Sequence, residues 1–381
     1  MRVLISIFLA IIMLSLFACA GETTITNTFT ITQIENQTQE ITTTVTTTQP
    51  TQTVTDTITS TITITNTITT AETITTITTT TVTTTTTNTL VPTVEGVQLI
   101  SETDCEDGSL CYHVEVERLG LAPREAEIRA SFNPDSKGTV IFLVGGWGKG
   151  WYGDAGELQL GIINIMRDEG YETYEIRWLG DFGWGTDNFG QGFKRLSCGT
   201  AKIITWIVTN TASNPNVVGA TGQSGGANEL AYGLSIHNLE SIIDVIVLTG
   251  GPGRVDLVAI CQMDVPNVRG IVDYVMGWQG DGDYCTGGNC PEWVVQALQS
   301  ESIITPLSYE YRDYDYPNTQ VIFIEGEEDI FTPQGRIFFD AITCMKQWIE
   351  LEGLGHGIPG TPLGASSIKD SLLEGLGNIV N

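Results

Sequence analysis

Residues 216 to 234, NVVGATGQSGGANELAYGL, place one serine in a glycine-rich turn between an apolar stretch and a segment that contains alanine and leucine. Ser224 lies within GQSGG, residues 222 to 226, which fits the pattern G-x-S-x-G. When a buried strand turns sharply into a helix, the serine at the turn is strained and only small residues fit beside it. Its hydroxyl then points away from the sheet, and the next backbone N–H lies at the positive end of the helix. We therefore predict Ser224 as a nucleophile; a tight turn without chemistry is the alternative.

Beyond residue 97, strand patterns alternate with amphipathic helix patterns. Residues 140 to 144 form a continuous apolar run, which is typical of a fully buried strand. Strands that alternate with helices indicate an α/β fold with a mostly parallel sheet covered on both faces. Residues 254 to 317 interrupt the alternation and are interpreted as a lid or insertion over the carboxyl edge of the sheet. The other predicted strands are CYHVEVER, EAEIRASFN, YETYEIRW, residues 217 to 221, IDVIVLTGG, TQVIFIEG and KQWIELEG.

A serine nucleophile requires a base, and the chain contains three histidines. His113 falls inside a predicted strand and His237 falls late in the helix after the serine turn, so both are interpreted as structural. His356 follows the last predicted strand on a loop with glycines on both sides. Because such a loop can bring the imidazole back over the serine, His356 is the predicted general base.

The acid that orients the base is expected between the strand VIFIEG and His356. Asp329 is the favoured candidate because it lies beyond the end of that strand, in a turn. Glu328 and, after the preceding strand, Asp256 are the alternatives. The glutamates of this segment are expected to face solvent; they are Glu325, Glu327 and Glu328.

An oxyanion site requires two convergent N–H groups. Gly225, immediately after the serine, is predicted to supply one of them. The other is expected from the loop GGWG, residues 145 to 148, where glycines let the backbone approach a substrate closely. Trp147 is the predicted second donor, and a merely flexible turn is the alternative.

The chain order Ser224, Asp329, His356 resembles that of the α/β-hydrolase superfamily, and the resemblance covers residues 100 to 381. It implies eight mostly parallel strands, a nucleophile turn after the fifth and a variable lid after the sixth. It also implies a serine hydrolase without a cofactor that acts on small-molecule or polymer esters. A peptidase of the same fold and a non-catalytic surface-binding module are the rival functions. One departure is Gly145-Gly146, where many members have His-Gly.

Several aromatic residues fall on or near loops at the expected mouth of the site. Trp151 and Trp184 are the residues that we expect to contact a substrate, by stacking on a sugar or an aromatic acyl group. Packing beneath the lid is the alternative for the whole set, which comprises Trp147, Trp151, Trp178, Phe182, Trp184 and Phe189.

The first residues predict export from the cytoplasm. A basic Arg2, an apolar run and small residues identify residues 1 to 18 as a signal peptide. The sequence LFAC, ending at Cys19, resembles the lipobox of prokaryotic lipoproteins, in which the cysteine carries the lipid. The expected location is therefore the cell surface, with membrane attachment through Cys19. An ordinary signal peptide or an uncleaved anchor with a chance cysteine is the alternative.

Residues 19 to 94 are dominated by threonine, with few large side chains, and predict a disordered stalk before a catalytic domain over residues 95 to 381. Such a composition buries too little apolar area to offset the entropy of ordering. Threonine glycosylation and a sequon at Asn36 fit a stalk. Because threonine and isoleucine favour strands, β-structure is the alternative.

Charge and cysteine content limit the partners. The formal net charge of −28 argues against nucleic-acid binding. Seven cysteines follow Cys19, and in an exported protein they favour disulfides over metal ligands. No metal site is predicted, because DGDYCTGGNC has the wrong spacing for zinc. The candidate pairs are Cys105 with Cys111, Cys285 with Cys290 and Cys198 with Cys261, which leaves Cys344 unpaired.

Overall fold

A computed structural model describes residues 29–33, 37–41, 95–118, 121–185, 192–263, 265–276, 278, 290–304 and 313–380. The chain divides into two compact units, Met1–Val91 and Pro92–Asn381. The predicted signal peptide and several single residues lie outside the described residues; the latter are Cys19, Asn36, Phe189 and Cys285.

In the first unit, Phe29–Gln33 pairs with Gln37–Ile41 as an antiparallel hairpin. The disorder predicted for residues 19 to 94 is therefore corrected at these two segments. The physical reason is the one that favoured the alternative, since threonine and isoleucine have high strand propensity.

The second unit is built on one nine-stranded sheet, with the strand order β9-β8-β7-β6-β4-β5-β3-β2-β1. Neighbours from β9 to β5 pair in parallel, whereas β5–β3, β3–β2 and β2–β1 are antiparallel. The predicted α/β class with a mostly parallel sheet is confirmed, and the predicted count of eight strands is corrected to nine. The strands are β1 Val97–Asp104, β2 Leu110–Arg118, β3 Leu121–Ser131, β4 Thr139–Leu143, β5 Glu172–Trp178, β6 Val218–Gln223, β7 Val245–Thr249, β8 Gln320–Gly326 and β9 Lys346–Leu351.

The strand that sequence reasoning missed is β1, at the edge of the sheet. Only Val97 of its eight residues is buried, and its pairing with β2 shifts register between Leu99 and Ser101. An edge strand exposed on both faces lacks the alternation of apolar and polar residues that marks a half-buried strand. No periodic signal was therefore present to predict it.

Helices cover both faces of the sheet, as the side chains of β4 show. Ile141 and Leu143 pack in one apolar cluster together with residues of α2 and α3. Val140 and Phe142 point to the opposite face and pack with residues of α1 and α8. The helices in the described residues are α1 Glu157–Asp168, α2 Phe193–Asn210, α3 Gly225–His237, α4 Leu257–Gln262, α5 Pro266–Met276, α6 Glu292–Glu301, α7 Thr332–Ala341 and α8 Pro362–Val380.

The segment between β7 and β8, where we predicted an insertion, carries α4, α5 and α6 in its described parts. It follows the strand that neighbours β6 on the side away from β4. Across the described residues, none of the helices combines the length and the apolar character that a membrane-spanning helix needs.

The cysteines agree with the sequence in part. Cys105 and Cys111 form the predicted disulfide, and Cys344 keeps the predicted free thiol. Cys261 is disulfide-bonded, but Cys198 is not its partner, so the predicted bridge between these two is wrong. Cys290 also keeps a free thiol, with its Sγ atom 2.9 Å from that of Cys261, so it does not form the predicted bridge to Cys285.

Candidate functional site

Ser224 occupies the turn between β6 and α3, as the sequence predicts. Its backbone has φ 54° and ψ −105°, which is unusual for a residue with a side chain. Holding a residue in such a conformation costs on the order of 1–3 kcal/mol, and the surrounding structure must enforce it. One constraint is the Ser224 N–H, which donates to the carbonyl of Thr249 on β7 at 2.9 Å.

The glycines around Ser224 are required by close packing. A Cβ at Gly222 would lie 2.5 Å from the carbonyl carbon of Gly226, and one at Gly226 would lie 2.8 Å from the Cβ of Leu143. A Cβ at Gly225 would lie 2.0 Å from the carbonyl oxygen of Gly146. The turn therefore fits only with glycine at these positions, which is the physical basis of the G-x-S-x-G pattern here.

His356 connects Ser224 to Asp329. Its Nε2 lies 2.8 Å from Ser224 Oγ, and its Nδ1 lies 2.8 Å from Asp329 Oδ2. A carboxylate only accepts hydrogen bonds, so Nδ1 donates to Asp329 and Nε2 remains free to accept from the serine hydroxyl. The Asp329 side chain is 0 % exposed and the imidazole is 38 % exposed. The structure thus brings the three predicted residues together in the order that serine activation requires.

The parallel sheet explains why residues so distant in sequence meet. Ser224, Asp329 and His356 follow β6, β8 and β9, and the carboxyl ends of parallel strands lie at one edge. The loop after β7 completes this edge, since a Cβ at Gly250 would lie 2.7 Å from the His356 carbonyl oxygen. Gln223 adds a second tie, because its Nε2 donates to the same carbonyl at 3.3 Å.

The alternative bases and acids have other partners or face solvent. His113 is hydrogen-bonded to Glu125 on the antiparallel side of the sheet, and His237 bonds the carbonyl of Lys194. Asp256 caps α4 by accepting from two backbone N–H groups, and Glu328 is exposed. Within the described part of the chain, no group of three or more His, Cys, Asp or Glu residues is arranged to hold a metal ion.

The predicted oxyanion loop lies directly against the serine turn, as the contact between Gly225 and Gly146 requires. The N–H groups of Gly225 and Trp147 donate to no acceptor in the described residues. Two hydrogen bonds fix the loop itself. The Trp184 indole donates to the Gly146 carbonyl at 3.0 Å, and the backbone N–H of Trp178 donates to the Gly148 carbonyl at 2.7 Å. A loop held in this way does not fit the alternative of a flexible turn.

The two tryptophans predicted to contact a substrate are buried. Trp151 is 6 % exposed, with the guanidinium carbons of Arg129 and Arg177 at 4.9 and 4.3 Å from its ring. Trp184 is 2 % exposed and packs against Trp147 at 5.2 Å between ring centroids. This prediction is corrected: both side chains pack in the interior, because their polar and aromatic neighbours cover them.

Sequence reasoning missed a buried carboxyl on α3, Glu229, one turn after the serine. Its Oε1 accepts from the Trp178 indole at 3.2 Å and from the hydroxyl of Thr200. Burial raises the pKa of Glu229 to about 8, although these two hydrogen bonds oppose the shift. The indole of Trp178 thus links this carboxyl to the strand beside the oxyanion loop.

A second buried carboxyl, Glu325 at the end of β8, was expected to face solvent. Both of its oxygens accept from the N–H of Gly251, at 3.0 and 3.2 Å. Burial raises the pKa of Glu325 well above its ordinary value, and the nearby charge of Asp329 adds to the shift. The prediction was wrong here because Glu325 lies within β8, a strand in which every residue from Val321 to Gly326 is buried, and the Gly251 N–H supplies a donor for its carboxyl.

Asn228 ties the serine turn to the loop after β7. Its Nδ2 donates to the Ser224 carbonyl at 3.0 Å, and its Oδ1 accepts from the Arg254 N–H at 3.0 Å. The side chain is buried on α3, a helix whose residues from Gly225 to Ser235 are all buried. The adjacent polar residues Asn228 and Glu229 in such a helix are the sequence signal that would have indicated these roles.

Comparisons with known proteins give structural neighbours only; no protein-family model and no curated protein sequence matches the chain. The hyperthermophilic esterase of the archaeon Pyrobaculum calidifontis is 14% identical, with a TM-score of 0.45, covering 71% of this chain and 86% of that one. A monoacylglycerol lipase of Paleococcus ferrophilus is 18% identical, with a TM-score of 0.40, covering 66% and 98%. A puromycin-hydrolyzing peptidase of Mycobacterium tuberculosis is 12% identical, with a TM-score of 0.47, covering 71% and 40%.

Proposed function

We propose that the protein is a serine hydrolase of the α/β-hydrolase superfamily that hydrolyses carboxylic esters. The observation that carries this proposal is the hydrogen-bonded series Asp329, His356 and Ser224, with both distances at 2.8 Å and the serine on a strained turn. Each residue is held by a different strand end, so the geometry exists before any substrate binds. Preorganisation of this kind is what nucleophilic catalysis by serine requires.

In the first half of the reaction, Ser224 Oγ attacks the ester carbonyl carbon while His356 Nε2 accepts the hydroxyl proton. The electron pair of the C=O bond moves to the oxygen, and the N–H groups of Gly225 and Trp147 donate to this oxyanion. The bond to the alcohol oxygen then breaks, and His356 returns the proton to the departing alcohol. An acyl group is left on Ser224.

In the second half, water attacks the acyl carbonyl while His356 accepts one of its protons. The bond to Ser224 Oγ breaks, the proton returns to the serine, and the carboxylic acid leaves. Asp329 fixes the imidazole tautomer and stabilises the imidazolium in both halves of the reaction.

We further propose that the enzyme is exported and held at the cell surface by a lipid on Cys19. The apolar leader, the LFAC sequence and the acidic net charge of −28 support this location. Expression of the full chain and of Cys19→Ala in a bacterium fed a radiolabelled fatty acid tests it. Label on the wild type alone is the expected result; label on neither chain contradicts lipidation.

The proposed reaction is tested by stopped-flow hydrolysis of a para-nitrophenyl ester by the full chain. We expect a burst of one nitrophenolate per enzyme when deacylation is slower than acylation. The variant Ser224→Ala should lose turnover, whereas Ser366→Ala, which removes a hydroxyl from an exposed position on α8, should retain it. Hydrolysis of peptide amides but not esters would instead favour the peptidase, and a folded chain that turns over neither would favour the surface-binding module.

A further inference from the structure

Arg254, in the loop after β7, is a buried cation without a neutralising partner in the described residues. It is 8% exposed. Its Nε is buried without an acceptor, and the guanidinium forms no hydrogen bond or ion pair with any described residue. Leaving a charge buried and unpaired is costly, so proteins rarely do it without a functional reason.

The position of Arg254 connects it to the serine site in two ways. Its N–H donates to Asn228, whose amide donates to the Ser224 carbonyl, each at 3.0 Å. Its guanidinium carbon lies 5.9 Å from the ring centroid of Phe331, which in turn lies 5.2 Å from the imidazole centroid of His356. These two distances bound the guanidinium to within about 11 Å of the imidazole.

The contacts of Arg254 do not account for its charge. The aromatic ring of Phe331 attracts a cation by about 0.5–2 kcal/mol, which is small beside the cost of removing a guanidinium from water. Burial lowers the pKa of Arg254 to about 10, so the group stays charged at neutral pH. An apolar side chain of the same volume would pack in this position without the desolvation penalty. The retained charge therefore points to an anion that is bound there during function.

We propose that Arg254 binds a carboxylate of the substrate, so that the enzyme prefers esters carrying an anionic group a short distance from the scissile carbonyl. This inference rests on the proposed function. A guanidinium presents two parallel N–H donors that match the two oxygens of a carboxylate. Because the rest of the protein is strongly acidic, this selectivity arises from direct pairing inside the site and not from long-range attraction.

Two pairs of esters, assayed with the full chain, test the proposal and locate the anion. Para-nitrophenyl hydrogen succinate and para-nitrophenyl pentanoate differ by a carboxylate at the end of the acyl chain. Para-acetoxybenzoate and phenyl acetate differ by a carboxylate in the leaving group. We expect Arg254→Met to lower kcat/KM about 10- to 100-fold for the anionic member of one pair, because hydrogen bonds to charged groups contribute about 1.5–3 kcal/mol. The neutral members should change less than about threefold. Arg336→Met, which removes the same charge from an exposed position on α7, is the matched control.

A measurement on the wild type keeps the test independent of the folding of the variant. Succinate should compete with the neutral pentanoate ester at a concentration at least about 10-fold lower than the uncharged butyramide does. Equal inhibition by succinate and butyramide, or an equal loss for anionic and neutral esters in Arg254→Met, would overturn the inference while the proposed function stands. Failure of the wild type to hydrolyse any of the four esters would instead remove the proposed function and this inference with it.

Discussion

The serine turn, residues 222 to 226, and the loops that contain Trp151 and Trp184 lie at the same edge of the sheet. Their conformations are determined in different ways. At the turn, Ser224 joins β6 to α3, and the glycines that let the turn pack against Leu143 and Gly146 lie within two residues of it. In the loops, Trp184 and Trp151 are fixed by residues more than twenty positions away, such as Gly146 and Arg129. The residue types that the serine turn needs are therefore adjacent in sequence, whereas the contacts of the two tryptophans form only when the chain has folded.

Residue type alone therefore indicates a role at the serine turn but not in the loops. The serine and its neighbours can adopt only one arrangement, because a Cβ at any of three glycines would meet the backbone or a strand side chain. A tryptophan on a loop satisfies the sequence equally well by stacking on a substrate or by packing inside. The structure buries both of the tryptophans that we expected at the mouth. Arg254, which lies in no motif, acquires significance only through its burial.

The largest effect is expected for Asp329→Asn, which replaces the carboxylate next to His356 by an amide of the same size and shape. The amide cannot hold the imidazole in the tautomer that leaves Nε2 free to accept, so kcat should fall about 10⁴-fold. Steady-state ester hydrolysis measures it. Glu328→Gln, at the exposed neighbouring position, should keep wild-type kinetics. Equal losses in the two variants would mean that Asp329 is not the orienting acid.

Gly225→Ala tests the contact that joins the two regions. The new Cβ would lie 2.0 Å from the Gly146 carbonyl oxygen, so the turn and the loop must separate. Displacing one oxyanion donor should lower kcat about 10²- to 10³-fold. Gly161→Ala on α1, where a Cβ meets nothing within 4 Å, is the matched control and should preserve activity. Wild-type kcat in a folded Gly225→Ala variant would show that the two N–H groups do not act together.

Glu229→Gln, on the helix that follows the serine turn, should change the pH dependence of stability. The pKa of Glu229 is about 8 in the folded chain and is raised from an ordinary value of 4.5. The protonated carboxyl therefore makes its full contribution to the unfolding free energy below about pH 4.5. This contribution is lost as the pH rises to about 8. Glutamine cannot ionise, so the variant does not lose this contribution. The unfolding free energy of the variant minus that of the wild type should therefore increase by a few kcal/mol between pH 4.5 and 8.

Urea denaturation of the wild type and Glu229→Gln at a series of pH values measures this gain. Glu328→Gln is the control, because that side chain is exposed and its replacement should leave the difference flat. A difference between Glu229→Gln and the wild type that does not grow between pH 4.5 and 8 would contradict a raised pKa at Glu229.

The smallest effect is expected for Trp184→Phe, which separates packing from substrate contact. The change removes the part-buried hydrogen bond to the Gly146 carbonyl, so stability should fall by about 1 kcal/mol. If Trp184 positions the oxyanion loop, kcat falls a few-fold and KM stays constant. Trp151→Phe should change neither constant. A raised KM with constant kcat in either variant would contradict the packing role and would indicate that the tryptophan contacts the substrate.

Much of the architecture follows from periodicity, and the limits of prediction have physical causes. The buried runs of β4, β7 and β8 and the order of Ser224, Asp329 and His356 were recognisable because each signal is local. The edge strand β1 was missed because both of its faces are exposed. The inward turn of Glu325 and the bridge made by Asn228 depend on the loop after β7. Such contacts are set by tertiary packing, which a single segment does not encode.

Labelling of the full chain with a fluorophosphonate is the most direct test of the central claim that Ser224 is an activated nucleophile. The reagent phosphonylates a serine whose proton has a base to accept it. One adduct per chain is expected, on the peptide that contains Ser224, with no adduct in Ser224→Ala or His356→Ala. A folded wild type that takes no label, or a Ser224→Ala variant that is labelled as fast as the wild type, would contradict this claim.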